Sequence, residues 1–141
     1  MNTMLDLGRA VLAQQPFSAL LGTELLVFEA RLAVLELPLR PDLLQQNGFA
    51  HGGVLCYLAD NALTFAGGSA LGTAVVTSEL KINYLRPALG ERLRAEASVV
   101  HAGRSQAVVR CEIYAVEGGE RKLCAAAQGT ITQLAQPRNP G

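Results

Sequence analysis

The stretch Gln45-Gln46-Asn47-Gly48-Phe49-Ala50-His51-Gly52-Gly53-Val54-Leu55-Cys56-Tyr57-Leu58-Ala59-Asp60-Asn61-Ala62 decides how this chain is read. A histidine and two glycines open an almost wholly apolar helix, and that helix nevertheless carries a carboxylate. The helical pattern runs from Val54 to about Ser69 and is interrupted by Asp60, Asn61, Gly67 and Gly68, whereas a membrane span needs about 20 predominantly apolar residues. It reads as a core helix, and no membrane partner is expected.

At 100° per residue, Tyr57, Asp60, Asn61 and Thr64 fall on one narrow helical face. Such a stripe suits either solvent or a small polar niche at an interface, and its flanks leave no broad solvated face. Asp60 also lies about two turns inside the helix, beyond the first turn where a carboxylate caps or complements the helix dipole. Ahead of it, His51-Gly52-Gly53 allows close approach to the backbone, and the first N–H groups of a helix have no intrahelical acceptor. A helix N-terminus of this kind binds an oxyanion or carbonyl oxygen. Donors for developing negative charge, with a carboxylate to act as nucleophile or to activate water, are the parts of an acyl-transfer site.

The chain has 141 residues, enough for one domain over 1–141 that buries its own core without a disulfide staple. Twelve basic residues balance twelve acidic ones, so no net field recruits nucleic acid or an anionic membrane. Cys56, Cys111 and Cys124 are odd in number, lack C-x-x-C spacing and sit in apolar runs, which points to reduced thiols, a cytoplasmic location and no metal site. The N-terminal segment has no basic leader or long apolar stretch, so no secretory signal is expected.

A short leading helix is expected over about residues 4–15, ended by Pro16. Leu25–Phe28 and Leu32–Leu37 read as a hairpin. Beyond Val75 the period becomes two: Val76, Ser78, Leu80, Ile82 and Tyr84 on one face, Thr77, Glu79, Lys81 and Asn83 on the other. Runs around 93–99, 107–115 and 123–131 repeat the alternation, separated by turn-rich Arg86–Gly90, His101–Ser105 and Glu117–Glu120. A loose tail is expected from about 135 to 141. The order gives an α+β architecture in which a curled antiparallel sheet wraps the apolar helix.

With these residues in place, the sequence resembles the hotdog-fold acyl-CoA thioesterases of the PaaI-like group. The resemblance spans about Leu20 to Leu134 and rests on Gln45-x-x-Gly48-x-x-His51-Gly52-Gly53, Asp60, Thr77, Tyr84-Leu85-Arg86-Pro87 and Gly103-Arg104. It implies hydrolysis of an acyl-CoA to a carboxylic acid and free CoA with no metal or redox cofactor, at sites formed across a homodimer that commonly doubles into a tetramer. Under it Asp60 is the catalytic carboxylate, as general base or nucleophile, and Gly52, with Gly53, offers N–H groups to the thioester carbonyl. Gln45 supplies an amide, with Asn47 as its rival, and Thr77 holds the attacking water. His51 either fixes the start of the helix or touches substrate. Arg86 and Arg104 are either partners for the CoA phosphates or solvated turn residues. Asn83 and Lys81, on the face assigned to Thr77, line the approach for CoA or face an interface. Two other functions compete: a hotdog dehydratase, which wants a differently built histidine–acid motif, and a non-catalytic acyl-CoA binding or sensing module, which would not need Asp60.

Overall fold

The structure, a computed structural model, describes residues 3–135. Helix α1 covers Met4–Ala13 and starts with a capping box, in which Thr3 Oγ1 accepts from the Asp6 N–H and Asp6 accepts from the Thr3 N–H, both at 3.1 Å. Pro16 does not simply end this helix. It is the first residue of α2, Pro16–Leu21, where a missing N–H costs nothing, and α2 closes on Gly22 with a left-handed φ of 73°. The strands β1 (Glu24–Glu29) and β2 (Leu32–Pro38) form the expected hairpin, followed by a 3₁₀ turn at Pro41–Leu43. Helix α3 runs from Gly52 to Leu71, and β3 (Val75–Tyr84), β4 (Arg92–Ala102), β5 (Gln106–Glu117) and β6 (Glu120–Gln133) follow. Past Ala135, the expected loose tail lies outside the described residues.

All six strands form one antiparallel sheet in the order β1-β2-β4-β5-β6-β3. Its edges β1 and β3 do not pair, so the sheet is open and does not curl around the helix. The expected wrapped arrangement is thus corrected, and the reason lies in what covers α3. One flank of the helix presses on the sheet, with Leu58, Ala59, Ala62, Leu63 and Ala66 buried against Leu35, Leu93, Ile113 and Ile131. Each leucine buried in this way contributes about 1.5–3 kcal/mol. Gly67 lets the helix sit closer still, since a Cβ there would lie 2.7 Å from Ile131. The other flank meets one ring from β1 and one from α2. Phe28 meets Phe65 edge to face at 5.4 Å, and Phe17 meets Tyr57 in the same way at 5.1 Å. Among the described residues no helix is long and apolar enough to cross a membrane.

The two edges differ. Helix α1 lies along β1, where Arg9 Nε donates to the Leu25 carbonyl at 3.0 Å. Strand β3 carries ten residues with an exposed outer face and no strand beyond it among the described residues. It also contains a β-bulge: Thr77 pairs with Ile131 and Glu79 with Thr130, which leaves Ser78 as the extra residue. One inserted residue reverses the alternation. Thr77 therefore shares the α3-facing side with Leu80 and Ile82, and Asn83 and Lys81 point to the opposite, exposed side. The expected common face for Thr77 and Asn83 is corrected by that bulge.

A polar cluster joins α2 to α3. The Tyr57 hydroxyl lies 2.6 Å from Ser18 Oγ and 2.8 Å from Thr23 Oγ1, Ser18 Oγ donates to Gln15 Oε1 at 2.6 Å, and Asn61 Nδ2 donates to Gln15 Oε1 at 3.1 Å. Ser18 is buried, so its hydroxyl has no water to fall back on. Tyr57→Phe keeps the ring and removes the shared hydroxyl. It is expected to lower stability to urea by about 1–3 kcal/mol, the cost of leaving buried polar groups short of a partner. An unchanged unfolding midpoint would show that the cluster does not hold α2 in place.

Candidate active site

Half of the stripe on α3 faces the Tyr57 cluster, and the other half builds a niche around Asp60. Thr77 Oγ1 donates to Asp60 Oδ1 at 2.5 Å, Thr64 Oγ1 donates to the Asp60 carbonyl at 2.8 Å, and the two threonine hydroxyls are 3.1 Å apart. Asp60 is half-buried and forms no ion pair among the described residues. Its carboxylate is held by one hydroxyl, with Oδ2 left without a hydrogen-bond partner among those residues. Thr77 reaches it only because the bulge at Ser78 turns this end of β3 inward.

A second assembly forms at the N-terminus of α3. His51 is the N-cap, and its Nδ1 accepts from the Gly53 N–H at 2.8 Å. That donor is therefore already engaged. The Gly52 N–H has no acceptor among the described residues. Gln45 stands in the loop ahead, where its Oε1 accepts a short hydrogen bond from the Asn47 backbone N–H. This leaves the Gln45 Nε2 end as the free donor, while the Asn47 side chain is exposed. Gln45, Gly52 and Arg86 line one cleft with Tyr84 and Pro87. Tyr84 earned no role from its sequence position, yet its hydroxyl donates to the Gly52 carbonyl at 3.1 Å and its ring packs over Gly52. Burial, with a contribution from the nearby Cys56, raises the Tyr84 phenol above its usual pKa, so it stays protonated as a donor at neutral pH.

Gly52 and Asp60 stand eight positions apart on α3, or about 12 Å of helix rise. Arg104 sits in the exposed β4–β5 turn, and the neighbouring Ser105 carbonyl accepts from the Gln133 N–H at 2.8 Å, so this turn belongs to the Val75 and Thr77 end of the sheet. Gln45, Gly52 and Arg86 thus gather at one end, Asp60, Thr77 and Arg104 toward the other, and Asn83 stands apart on the outer face. Burial pushes the Cys124 thiol up to about 11 and Cys111 higher still, so neither offers a thiolate nucleophile. Among the described residues, no group of three His, Cys, Asp or Glu side chains gathers where it could hold a metal ion.

The fold that carries these groups is matched by known proteins. The thioesterase superfamily model covers residues 47–122, which is more than half of the chain and includes Gly52, Asp60 and Thr77. The chain belongs to the thioesterase superfamily. Its hotdog fold is shared with a thioesterase family protein from Silicibacter pomeroyi, at TM-score 0.85 and 34% identity over 91% of this chain and 96% of that one. The PaaI protein of Escherichia coli, from the phenylacetic acid degradation operon, superposes with TM-score 0.81 at 28% identity over 91% of each chain. Among curated sequences, the acyl-coenzyme A thioesterase PaaI of Escherichia coli is 35% identical over 94 residues, 66% of each chain, and the medium/long-chain acyl-CoA thioesterase YigI of the same species is 29% identical over 76% of this chain and 80% of its own. Membership assigns a thioesterase-type hydrolase activity and a close relation to the PaaI-like esterases.

The cap geometry separates the two roles left open for His51. His51→Asn retains a side-chain acceptor for the Gly53 N–H, whereas His51→Ala removes it at a cost of about 1 kcal/mol. Thermal unfolding is expected to show a lower midpoint for the alanine variant and near wild-type stability for asparagine. Equal stability of all three proteins would remove the capping role.

Proposed function

We propose that this chain is an acyl-CoA thioesterase in which Asp60 of one subunit and Gly52 of a second subunit act on the same thioester. The observation that carries the reading is the half-buried Asp60 carboxylate, held by Thr77 at 2.5 Å and free of any ion pair among the described residues. Reacting groups must approach to about 3–3.5 Å. Gly52 and Asp60 of one chain are about 12 Å apart along a single helix, so they do not converge on one carbonyl.

A two-fold axis beside the β3 edge brings them together. Antiparallel pairing of two β3 strands sets the Thr77 end of one against the Tyr84 end of the other. Asp60 of one subunit then lies near the Gly52 cleft of its partner, where the Gly52 N–H and Gln45 Nε2 receive the carbonyl oxygen. In the first step Asp60 takes a proton from water, the hydroxyl oxygen bonds to the carbonyl carbon, and charge develops on the oxygen held by these donors. Collapse breaks the C–S bond, and the sulfur leaves as free CoA with the proton that Asp60 took from water, which restores the carboxylate. Arg86 of the cleft and Arg104 of the far turn stand at opposite ends of one chain, so the same axis brings them toward each other as partners for the CoA phosphates. The names of the related enzymes PaaI and YigI support CoA as the carrier. The free thiols fit work in the reducing cytoplasm.

Asp60→Asn keeps the shape and deletes the base. Its kcat for the best acyl-CoA is expected to fall by about 10²-fold or more with the melting temperature retained or raised, since an amide is cheaper to desolvate than a carboxylate. A folded variant hydrolysing at the wild-type rate would overturn the reading and leave a binding or sensing module. Sedimentation at micromolar concentration should show a dimer or larger species, and a fully active 14.9 kDa monomer would contradict the shared site.

A further inference from the structure

Between α1 and α3 lies a mainly apolar cavity of about 130 Å³, at whose margin Gln15 and Asn61 of the Tyr57 cluster stand. Its walls are Leu7 and Val11 of α1, Phe28 of β1, Phe65 and Gly68 of α3, and Val75 at the start of β3. Thr64 stands at its margin and belongs equally to the Asp60 niche, through its 3.1 Å approach to Thr77 Oγ1. Neither Asp60 nor Thr77 lines the cavity, so the Thr64 side chain is what joins it to the place where the thioester would be cut. The cavity lining is mostly apolar, so an apolar group that enters displaces water that has few partners there.

We infer that this cavity is the acyl subsite, taking a compact apolar acyl tail, and that α1 sets its size. The inference rests on the thioesterase reading above for the identity of the ligand. The volume is close to that of an apolar cavity of about 150 Å³ that holds one benzene ring, so it accommodates roughly six carbons. The walls fit that purpose. The edge-to-face rings of Phe28 and Phe65 fix one side at 5.4 Å between centroids. Leu7 and Val11 form the roof, each with one flank on the cavity and the rest of the side chain exposed to solvent. Because they are only partly buried, changes at these two positions alter the roof without removing core.

Gly68 offers a clean test. A Cβ there would meet only Val75 Cγ2, at an ordinary contact distance of 3.5 Å, so an alanine methyl group enters the cavity without clashing. Alanine is also the better helix former, so the fold is not weakened. The experiment compares wild type, Gly68→Ala and Val11→Ala on CoA esters from acetyl to palmitoyl plus phenylacetyl. In parallel, calorimetry measures binding of non-hydrolysable S-alkyl CoA thioethers of the same lengths.

Wild type should favour tails of about six carbons. Gly68→Ala should lower the ratio of hexanoyl to butyryl kcat/KM by about 10-fold or more, the discrimination one methylene carries in an apolar pocket. Val11→Ala should move the optimum to longer tails. Identical chain-length profiles in all three proteins would overturn the assignment. Absence of turnover with every ester would instead sink the thioesterase reading, and the thioether series would still decide the cavity: affinity that rises with tail length and is cut by Gly68→Ala upholds it, and affinity independent of tail length ends it.

Discussion

Eight residues of one helix separate Gly52 from Asp60, and that fixed spacing governs how the rest of the molecule is used. A helix rises about 1.5 Å per residue and does not bend back on itself, so the glycine-opened end and the carboxylate are held about 12 Å apart. On the proposed reading each chain carries two half-sites facing different places. The sheet order agrees with such a use, because α1 and Arg9 cover the β1 edge while β3 stays open. An uncovered strand of ten residues is an invitation to pair, and pairing there brings opposite ends of two chains together.

On the proposed reading, the positions of single hydrogen bonds distinguish the roles within each half-site. His51 accepts from Gly53, which leaves Gly52 as the free donor of the pair. Asn47 donates its backbone N–H to Gln45, which turns the Gln45 side chain so that its NH₂ is available. Asn47 thus serves the site by orienting its rival. At the other end, Thr77 holds one carboxylate oxygen of Asp60 and leaves the second exposed to the niche. A half-buried carboxylate with one hydrogen bond is poor material for a core helix, and such groups persist where function needs them. The Tyr57 cluster compensates nearby by locking α2 onto the same helix face.

Much of this was legible in the sequence. The apolar helix, its polar stripe, the glycine-opened start and the strands after residue 90 all announce themselves by period and by turn residues, because burial on one face imposes that pattern directly. What was illegible has a common cause, since it depends on one residue or one contact. Ser78 is inserted without any composition signal, and it moves Thr77 away from Asn83 and Lys81. Pro16 stops one helix in the same way that it starts another, so α2 was hidden. The sheet was expected to wrap α3 because the helix is apolar nearly all round, but its edges β1 and β3 do not pair, and it covers one flank while Phe28 of β1 and Gln15, Phe17 and Ser18 at α2 meet the other. Tyr84 carries no sign that its hydroxyl would reach Gly52.

The shared site is tested most directly by subunit complementation. Gly52→Pro removes the candidate donor at the first helical position, where proline is tolerated and where the extended φ of −61° and ψ of 136° at His51 suit a following proline. Asp60→Asn removes the carboxylate. Each variant alone should be a folded, nearly inactive dimer. Co-expressed with different tags and purified through both, the mixed dimer carries both lesions in one site and none in the other, so it should recover about half of wild-type activity by two-fold symmetry. Mixed dimers that form and remain as inactive as their parents would contradict a site built from two chains.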